Sequence, residues 1–232
     1  MNINLDITAL IPVKANSQRV KKKNLKNFAE SNLYEIKLKQ LQKTNCFKRI
    51  IVSSECIKVL NVANKYGFET HLRDKYYSTS EVPMSEVYSH IASQIQGTYI
   101  AWVNVTNPIC DKRIYEYAVK KFLENYKKYD CLLSAIMHKQ NFFFKNKPVN
   151  FNRSPWPRSQ DLEPLISLPF AINILERKKM IQWGSCVGQK PFFLFINPLI
   201  ATDIDDEESY IVAEKIYKNK NLIKKLYKTI NK

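Results

Sequence analysis

The sequence is poor in the features that mark several common protein classes. Glycine accounts for only four of the 232 residues, and neither a GxGxxG nor a GxxxxGK(S/T) pattern occurs, which disfavours dinucleotide dehydrogenases and P-loop enzymes. No apolar run approaches the roughly 18–20 residues that a membrane-spanning helix needs, so we expect no membrane segment. The N-terminal segment lacks a basic stretch followed by an apolar run, so we expect no secretory signal and a cytoplasmic protein.

The cysteines and histidines do not form metal-binding or catalytic patterns. The five cysteines are odd in number and none belongs to a CxxC pair; they are Cys46, Cys56, Cys110, Cys131 and Cys186. This favours reduced thiols that act as small core residues over a disulfide framework or a zinc site. The histidines His71, His90 and His138 lie far apart in the sequence, so no histidine-based site is predicted.

The charge balance is strongly positive. The chain has 37 Lys and Arg residues against 21 Asp and Glu, a formal net charge of +16, yet only seven of the cations are arginine. The lysines are spread along the chain, which indicates a compositional bias and not a nucleic-acid-binding face. A diffuse positive charge would still attract anionic small molecules such as nucleotides.

Apolar runs of strand length alternate with helical patterns. Strands are predicted at 8–13, 48–53, 68–72, 98–105, 131–137, 171–176 and 190–196. Helices are predicted at 34–44, 56–66, 85–96, 112–126 and 207–217. This order predicts a single α/β domain over residues 1–232, with a mostly parallel sheet and helices on both faces.

Two segments interrupt this rhythm. Residues 138–169 contain five of the ten prolines and several aromatic residues, and we interpret them as an irregular insert that forms a lid or an oligomer contact. The lysine-rich tail from about Lys215 onward reads as a low-complexity linker.

Polar residues follow several of the predicted strands, where ligands bind in open parallel sheets. Lys14, Ser17 and Arg19 follow the first strand, and cations in a turn suit a triphosphate; the alternative is a solvated loop. Ser53 ends the second strand, where it could also cap the next helix, and Arg73 follows the third.

Two further groups of polar residues lie later in the chain. Asn104 sits in a very apolar run ahead of Thr106, so its amide needs either a ligand or a partner in the core. Asp203 and Asp205 alternate on an extended segment, and paired carboxylates of this kind suit Mg²⁺. The alternative is an acidic N-cap for the final helix, a role open to Asp206 and its neighbours.

Taken together, the segments IPVKANSQRVKKKN (residues 11–24) and TDIDDEES (residues 202–209) resemble the acylneuraminate cytidylyltransferases, the CMP-sialic acid synthetases. The segments IIVSSE (50–55) and VNVTNP (103–108) agree in order and spacing. The resemblance implies a Rossmann-like, three-layer nucleotidyltransferase fold. It also implies that CTP condenses with an acceptor oxygen to give a CMP conjugate and pyrophosphate. A homodimer that shares the insert is expected.

The resemblance also implies roles for individual residues. Lys14 and Lys23 would hold the triphosphate, and Asp203 and Asp205 would hold Mg²⁺, with Lys14, Lys23 and Asp205 as the catalytic residues. The residues expected to bind the nucleotide are Ser17, Arg19, Asn24, Ser53 and Arg73, and those expected to bind the acceptor are Asn104, Thr106 and Arg158.

The segment SLPFAIN (167–173) departs from the family pattern, because Ser167 replaces an arginine that supports the sugar acid. Arg153 or Arg158 could compensate. The acceptor therefore stays open among a sialic acid, another nonulosonic acid, a different sugar and a phosphorylated polyol. A nucleotide-binding protein without catalytic activity is the remaining alternative.

Overall fold

A computed structural model describes residues 5–17 and 20–228 of the chain. In chain order, its strands are β1 Ile7–Pro12, β2 Asn27–Phe28, β3 Ser31–Asn32, β4 Arg49–Ser54, β5 Glu69–Leu72, β6 Tyr99–Trp102, β7 Cys131–His138, β8 Phe143–Phe144, β9 Lys147–Pro148, β10 Leu165–Ser167, β11 Asn173–Glu176 and β12 Pro191–Phe195. Its α-helices are α1 Leu33–Gln42, α2 Ile57–Lys65, α3 Met84–Gln94, α4 Lys112–Asn125, α5 Arg177–Trp183, α6 Glu207–Lys218 and α7 Lys220–Tyr227.

Eight of these strands form one mixed sheet that is mostly parallel. Its order is β10-β7-β11-β6-β1-β4-β5, and β12 pairs with β7. The central strand β1 runs parallel to both β4 and β6, whereas β11 is antiparallel to β6 and β7. The predicted α/β fold with a mostly parallel sheet is confirmed.

The helices cover both faces of the sheet, which gives three layers. Successive residues of β1 point to opposite faces because side chains alternate along a strand. Ile11 packs into a cluster that includes Leu38 of α1 and Ile114 of α4. Its neighbour Leu10 packs into a second cluster with Ile91 of α3 and Met180 of α5. β1 is buried on both sides, as expected for the apolar run that encodes it.

Two glycines stand at bends of the backbone that follow helices. Gly67 has a φ of +78° directly after α2, and Gly97 has a φ of +125° between α3 and β6. These are values that residues with a Cβ rarely adopt. A Cβ at Gly97 would also collide with the side chain of Thr8 on β1, so this turn lets β6 enter beside β1.

Two segments differ from the sequence-based expectation. The tail predicted as a linker folds instead as α7, which buries Leu226 and Tyr227 against the core; its lysines lie on the outer side of an amphipathic helix, so composition concealed it. The insert at 138–169 is partly regular, with the hairpin β8–β9 and with β10 paired to the end of β7. None of the helices in the described ranges is long and apolar enough to cross a bilayer.

Candidate active site

The segment that contains Asp203 and Asp205 and precedes α6, here called the acidic segment, lies against the loop that follows β1. The ammonium group of Lys23 donates to the carbonyl oxygen of Ile204, and it lies 3.7 Å from Oδ1 of Asp205. The side chain of Lys23 is only 11% exposed, so its charge is attracted to the acidic segment more strongly than it would be in open solvent. The structure therefore brings together Lys23 and the acidic segment, although Lys23 and Ile204 are 181 residues apart in the chain.

Asp203 has the unusual environment within this segment. The backbone N–H of Ile204 donates to the carbonyl of Thr106 at 3.0 Å, which ties the segment to the turn after β6. Burial raises the pKa of Asp203; Asp205 acts in the same direction, while a hydrogen bond with Thr106 and the charge of Lys23 oppose it. Its Oδ1 atom is buried without a hydrogen-bond partner among the described residues.

An unpartnered, buried carboxylate oxygen costs free energy unless a ligand binds it. The environment of Asp203 therefore fits Mg²⁺, which takes oxygen ligands and is often held by one or two carboxylates together with substrate phosphates. Within the described residues, no group of three or more His, Cys, Asp or Glu residues forms a self-sufficient metal site. A cation at Asp203 and Asp205 would have to share its coordination with the substrate.

The alternative role of this segment, capping of the final helix, belongs to Asp206. Its Oδ1 accepts from the N–H of Ser209 at 2.8 Å, and the Ser209 hydroxyl accepts from the N–H of Asp206 at 3.0 Å. This is a capping box at the N-terminus of α6. The cap does not use the carboxylates of Asp203 and Asp205, which precede it.

The loop after β1 is held by its own polar residues. The hydroxyl of Ser17 accepts from the N–H of Lys23 at 2.7 Å. The amide of Asn24 donates to the carbonyl of Lys14 at 2.9 Å, and the Asn24 side-chain oxygen is buried without a partner in the described part of the chain. Ser17 and Asn24 thus shape the loop that carries Lys14 and Lys23, whereas Arg19 lies outside the described residues.

Glu55, directly after β4, organises the start of the same loop, and no individual role was predicted for it from the sequence. Its carboxylate accepts from the N–H of Ala15 at 2.8 Å, from Arg73 at 3.2 Å and from the hydroxyl of Ser78 at 3.0 Å. Burial alone would raise the pKa of Glu55, but the hydrogen bonds from Ala15 and Ser78, together with Arg73, bring it below its ordinary value.

The side chain of Arg73 therefore has hydrogen-bond partners within the protein. Its guanidinium also donates to the carbonyl of Val13 at 3.1 Å, and the side chain is 4% exposed. It links the ends of β1, β4 and β5. The signal that could have identified Glu55 is its position at the end of a strand that neighbours the one followed by Arg73, because carboxyl ends of parallel strands meet at one edge.

A cavity of about 200 Å³ opens beside this network, lined among others by Lys14, Arg73, Tyr77, Tyr88, Trp102 and Asn104. The indole N–H of Trp102 donates to the side-chain oxygen of Asn104 at 3.1 Å. An indole can only donate, so it fixes which end of the amide faces it. Any further donation from Asn104 to a ligand goes through its NH₂ group.

The structure does not bring Ser53 and Arg158 into contact with Lys23 and Asp205. The hydroxyl of Ser53 is fully buried and lies 3.0 Å from Nδ1 of His71. Arg158 lies in the insert, where its side chain is 73% exposed and pairs with Asp161 at 2.6 Å. Among the described residues, no hydrogen bond or ion pair connects either side chain to Lys23 or Asp205, so the binding roles of Ser53 and Arg158 stay predictions.

Comparison with known proteins identifies the family. The family model described as Cytidylyltransferase matches residues 8–162. The chain is 27% identical to pseudaminic acid cytidylyltransferase of Campylobacter jejuni over 126 residues, which cover 52% of this chain and 54% of that protein. It is 22% identical to CMP-N,N'-diacetyllegionaminic acid synthase of the same species over 228 residues, 94% and 97% of the two chains.

Solved structures show the same fold. The structure of CMP:2-keto-3-deoxy-manno-octonic acid synthetase, determined with CTP, superimposes with a TM-score of 0.67 over 92% of this chain and 98% of that one, at 8% identity. At this identity the match speaks for the fold, which is that of a nucleotidyltransferase. The matched family model spans the loop after β1, Glu55, Arg73 and the turn after β6. The chain belongs to the cytidylyltransferase family, and its resemblance to the acylneuraminate cytidylyltransferases is confirmed.

Proposed function

We propose that the protein is a Mg²⁺-dependent cytidylyltransferase that transfers CMP from CTP to a sugar acid and releases pyrophosphate. The observation that carries this proposal is the meeting of Lys23 with the acidic segment, beside the unpartnered oxygen of Asp203. A cation for phosphates and an oxygen site for a metal lie next to each other. Their place beyond the carboxyl end of the central strand is where ligands of open α/β sheets bind.

The reaction joins the acceptor oxygen to the α-phosphorus of CTP. A new P–O bond forms, the bond from the α-phosphorus to the bridging oxygen breaks, and pyrophosphate leaves with that oxygen. Negative charge increases on the phosphate oxygens in the transition state, so fixed cations accelerate the step. Lys14 and Lys23 supply this charge, and the contacts of Ser17 and Asn24 hold both lysines in one loop.

Mg²⁺ at Asp203 and Asp205, when bound, would neutralise phosphate charge and make the acceptor hydroxyl more acidic. The two carboxylates would be the protein's ligands to this ion. Thr106 holds Asp203 in place through a side-chain hydrogen bond and through its carbonyl, which binds the N–H of Ile204. Most of the rate enhancement expected here comes from positioning and charge stabilisation.

The acceptor is best sought among sugar acids, because the relatives named for an activity are named for pseudaminic acid, legionaminic acid and N-acylneuraminate. Ser167 does not offer the charge of the family arginine, and its hydroxyl lies 2.7 Å from Nε2 of His138. Asn104 in the cavity can donate to an acceptor oxygen through its NH₂ group. A phosphorylated sugar or polyol is the second candidate, because the absence of that arginine removes the expected partner of a sugar-acid carboxylate.

We also propose that the protein is a homodimer formed through the insert. Three aromatic side chains of the insert are strongly exposed: Phe143 at 52%, Phe144 at 66% and Trp156 at 62%. Such a patch is a liability on a monomer and typical of an interface. Light scattering should give twice the mass of the 27.3 kDa chain, and a monomeric mass at micromolar concentration would contradict this part of the proposal.

Pyrophosphate release tests the activity. CTP, ATP, GTP and UTP are each combined with sialic, pseudaminic, legionaminic and keto-deoxy-octonic acids, and with sugar and polyol phosphates. We expect release only with CTP, only with a sugar acid, and only without a chelator. Release only with a phosphorylated acceptor would replace the sugar acid with the second candidate. No release with any pair, together with no rise in Tm from CTP and Mg²⁺, would refute the proposal.

A further inference from the structure

The turn at residues 107–110, after β6, has an unusual set of backbone partners. All four of its carbonyl oxygens accept hydrogen bonds from side chains. The ammonium group of Lys37 donates to Asn107 at 2.9 Å and to Cys110 at 3.1 Å. The side chain of Gln40 donates to the carbonyl of Pro108 at 2.6 Å.

The fourth carbonyl is held by the C-terminal helix. The hydroxyl of Tyr227 donates to the carbonyl of Ile109 at 2.8 Å and accepts from the N–H of Asp111 at 3.0 Å. The turn is therefore fastened to α1 by two side chains and to α7 by a third. Turns of this kind usually lie on the surface, where water satisfies their carbonyls, so this degree of fixation calls for a physical reason.

Lys37 makes the fixation costly. Its side chain is 0% exposed, and its three N–H groups match three acceptors, the two carbonyls and the hydroxyl of Tyr115. Within the described ranges, no carboxylate lies at salt-bridge distance from its ammonium group. A buried charge without a counter-charge costs several kcal/mol, and an apolar residue at this position of α1 would remove that cost.

The opposite side of the turn holds the acidic segment. The amide of Asn107 donates to the carbonyls of Ala201 at 3.2 Å and Thr202 at 3.4 Å. The thiol of Cys110 donates to the carbonyl of Ile200 at 3.2 Å. The turn thus grips the backbone directly before Asp203, while the carbonyl of Thr106 binds the N–H directly after it.

We propose that Lys37 is a positioning residue that holds the carboxylate of Asp203 in its metal-binding place through the turn at 107–110. Tyr227 assists from the other side of the turn. The inference rests on the proposed function of the acidic segment as a metal site. Lys37 touches neither substrate nor metal; it fixes the turn whose far side fixes Asp203.

Two variants test this inference against a matched control. Lys37→Met removes the charge and all three donors, and Tyr227→Phe removes only the hydroxyl while its ring stays beside Arg113. Lys39→Met makes the same substitution as the first variant at an exposed position of the same helix. Mn²⁺ binding is followed by loss of the free-ion EPR signal, with and without CTP, and Tm is measured for each protein.

We expect Lys37→Met to weaken Mn²⁺ binding about 10–100-fold, the range for losing an outer-sphere partner of a metal site. Tyr227→Phe should weaken it by a smaller factor, and Lys39→Met should not change it. The affinity for CTP without metal should stay within about twofold of wild type, because the loop after β1 is untouched. The Mg²⁺ concentration for half-maximal pyrophosphate release should rise in parallel with the Mn²⁺ dissociation constant.

Wild-type Mn²⁺ affinity in both variants would overturn the inference. An equal loss of metal and CTP affinity, accompanied by a lower Tm, would also overturn it, because it would show a general structural role. If Lys37→Met does not fold, Tyr227→Phe decides by the same criteria. A wild-type protein that binds Mn²⁺ but releases no pyrophosphate would instead refute the proposed function, while the shift between variants would still report on positioning.

Discussion

Replacing Lys37 with methionine should change how the free energy of unfolding depends on pH. Burial lowers the pKa of Lys37 from 10.5 to about 8 in the folded protein. In the unfolded chain the same lysine has its ordinary pKa. Between these two values the unfolded chain binds a proton that the folded protein has released, so the stability of the wild type rises with pH across this window.

The expected size follows from the two pKa values. At pH 7 both states are protonated, and the cost of the buried charge is fully present. At pH 10 the folded lysine is neutral and the unfolded one is still mostly charged, which is worth about 2.5 kcal/mol. Lys37→Met lacks this proton. The free energy of unfolding of the wild type minus that of the variant should therefore increase by about 2.5 kcal/mol from pH 7 to pH 10.

Urea denaturation at several pH values measures this difference, and the subtraction cancels groups that titrate alike in both proteins. Two terms oppose each other at pH 7. The variant loses the buried charge, but it leaves the carbonyl of Asn107 without its donor, at a cost of about 1–3 kcal/mol. The change of the free-energy difference with pH does not depend on the balance of these two terms. A difference that is constant between pH 7 and pH 10 would refute the reasoning.

Three further predictions concern the site. Asp205→Asn should abolish pyrophosphate release without lowering Tm, whereas Asp206→Ala should keep release and lower the free energy of unfolding by about 1 kcal/mol; the reverse pattern would make Asp205 the cap. Lys23→Ala should lower kcat/KM about 10²–10³-fold. Lys21→Ala changes an exposed lysine of the same loop and should leave kcat/KM unchanged, so equal effects of the two variants in steady-state kinetics would contradict the role of Lys23. Glu55→Gln should be destabilising at pH 7, and its difference from wild type should shrink as the pH falls below the ordinary carboxyl pKa of 4.5, since the folded pKa is lowered; denaturation curves that differ equally at pH 7 and pH 3.5 would contradict this.

The architecture could be predicted because its signals are local. The apolar run that encodes β1 is too short for a helix and buried on both faces, and glycines stand where two helices give way to the next strand. The rule that ligands bind beyond the ends of parallel strands then pointed to the loop after β1 and to the acidic segment. The loop after β1 and the acidic segment could both be predicted because the position of a residue relative to a strand or helix was enough to identify them.

The partners of individual side chains could not be predicted. Ser53 was expected to bind the nucleotide, and this stays a prediction; the structure adds that its hydroxyl is buried next to His71. Arg73 was expected to bind the nucleotide, and this stays a prediction; the structure adds that its guanidinium donates to Glu55 and to the carbonyl of Val13. A position at a strand end gives the edge of the sheet on which a residue lies, but it does not give the group that reaches its side chain first.

The sequence by itself determined the fold class, the family resemblance and the two candidate segments, the loop after β1 and the acidic segment before α6, because each depends on a short pattern. Only the tertiary structure decided that Lys37 is buried and that the lysine-rich tail is a helix packed on the core. A lysine in an amphipathic helix is normally assigned to solvent, since its charge needs acceptors that the helix does not contain. Here those acceptors come from a turn 70 residues away, and no local pattern can supply that information.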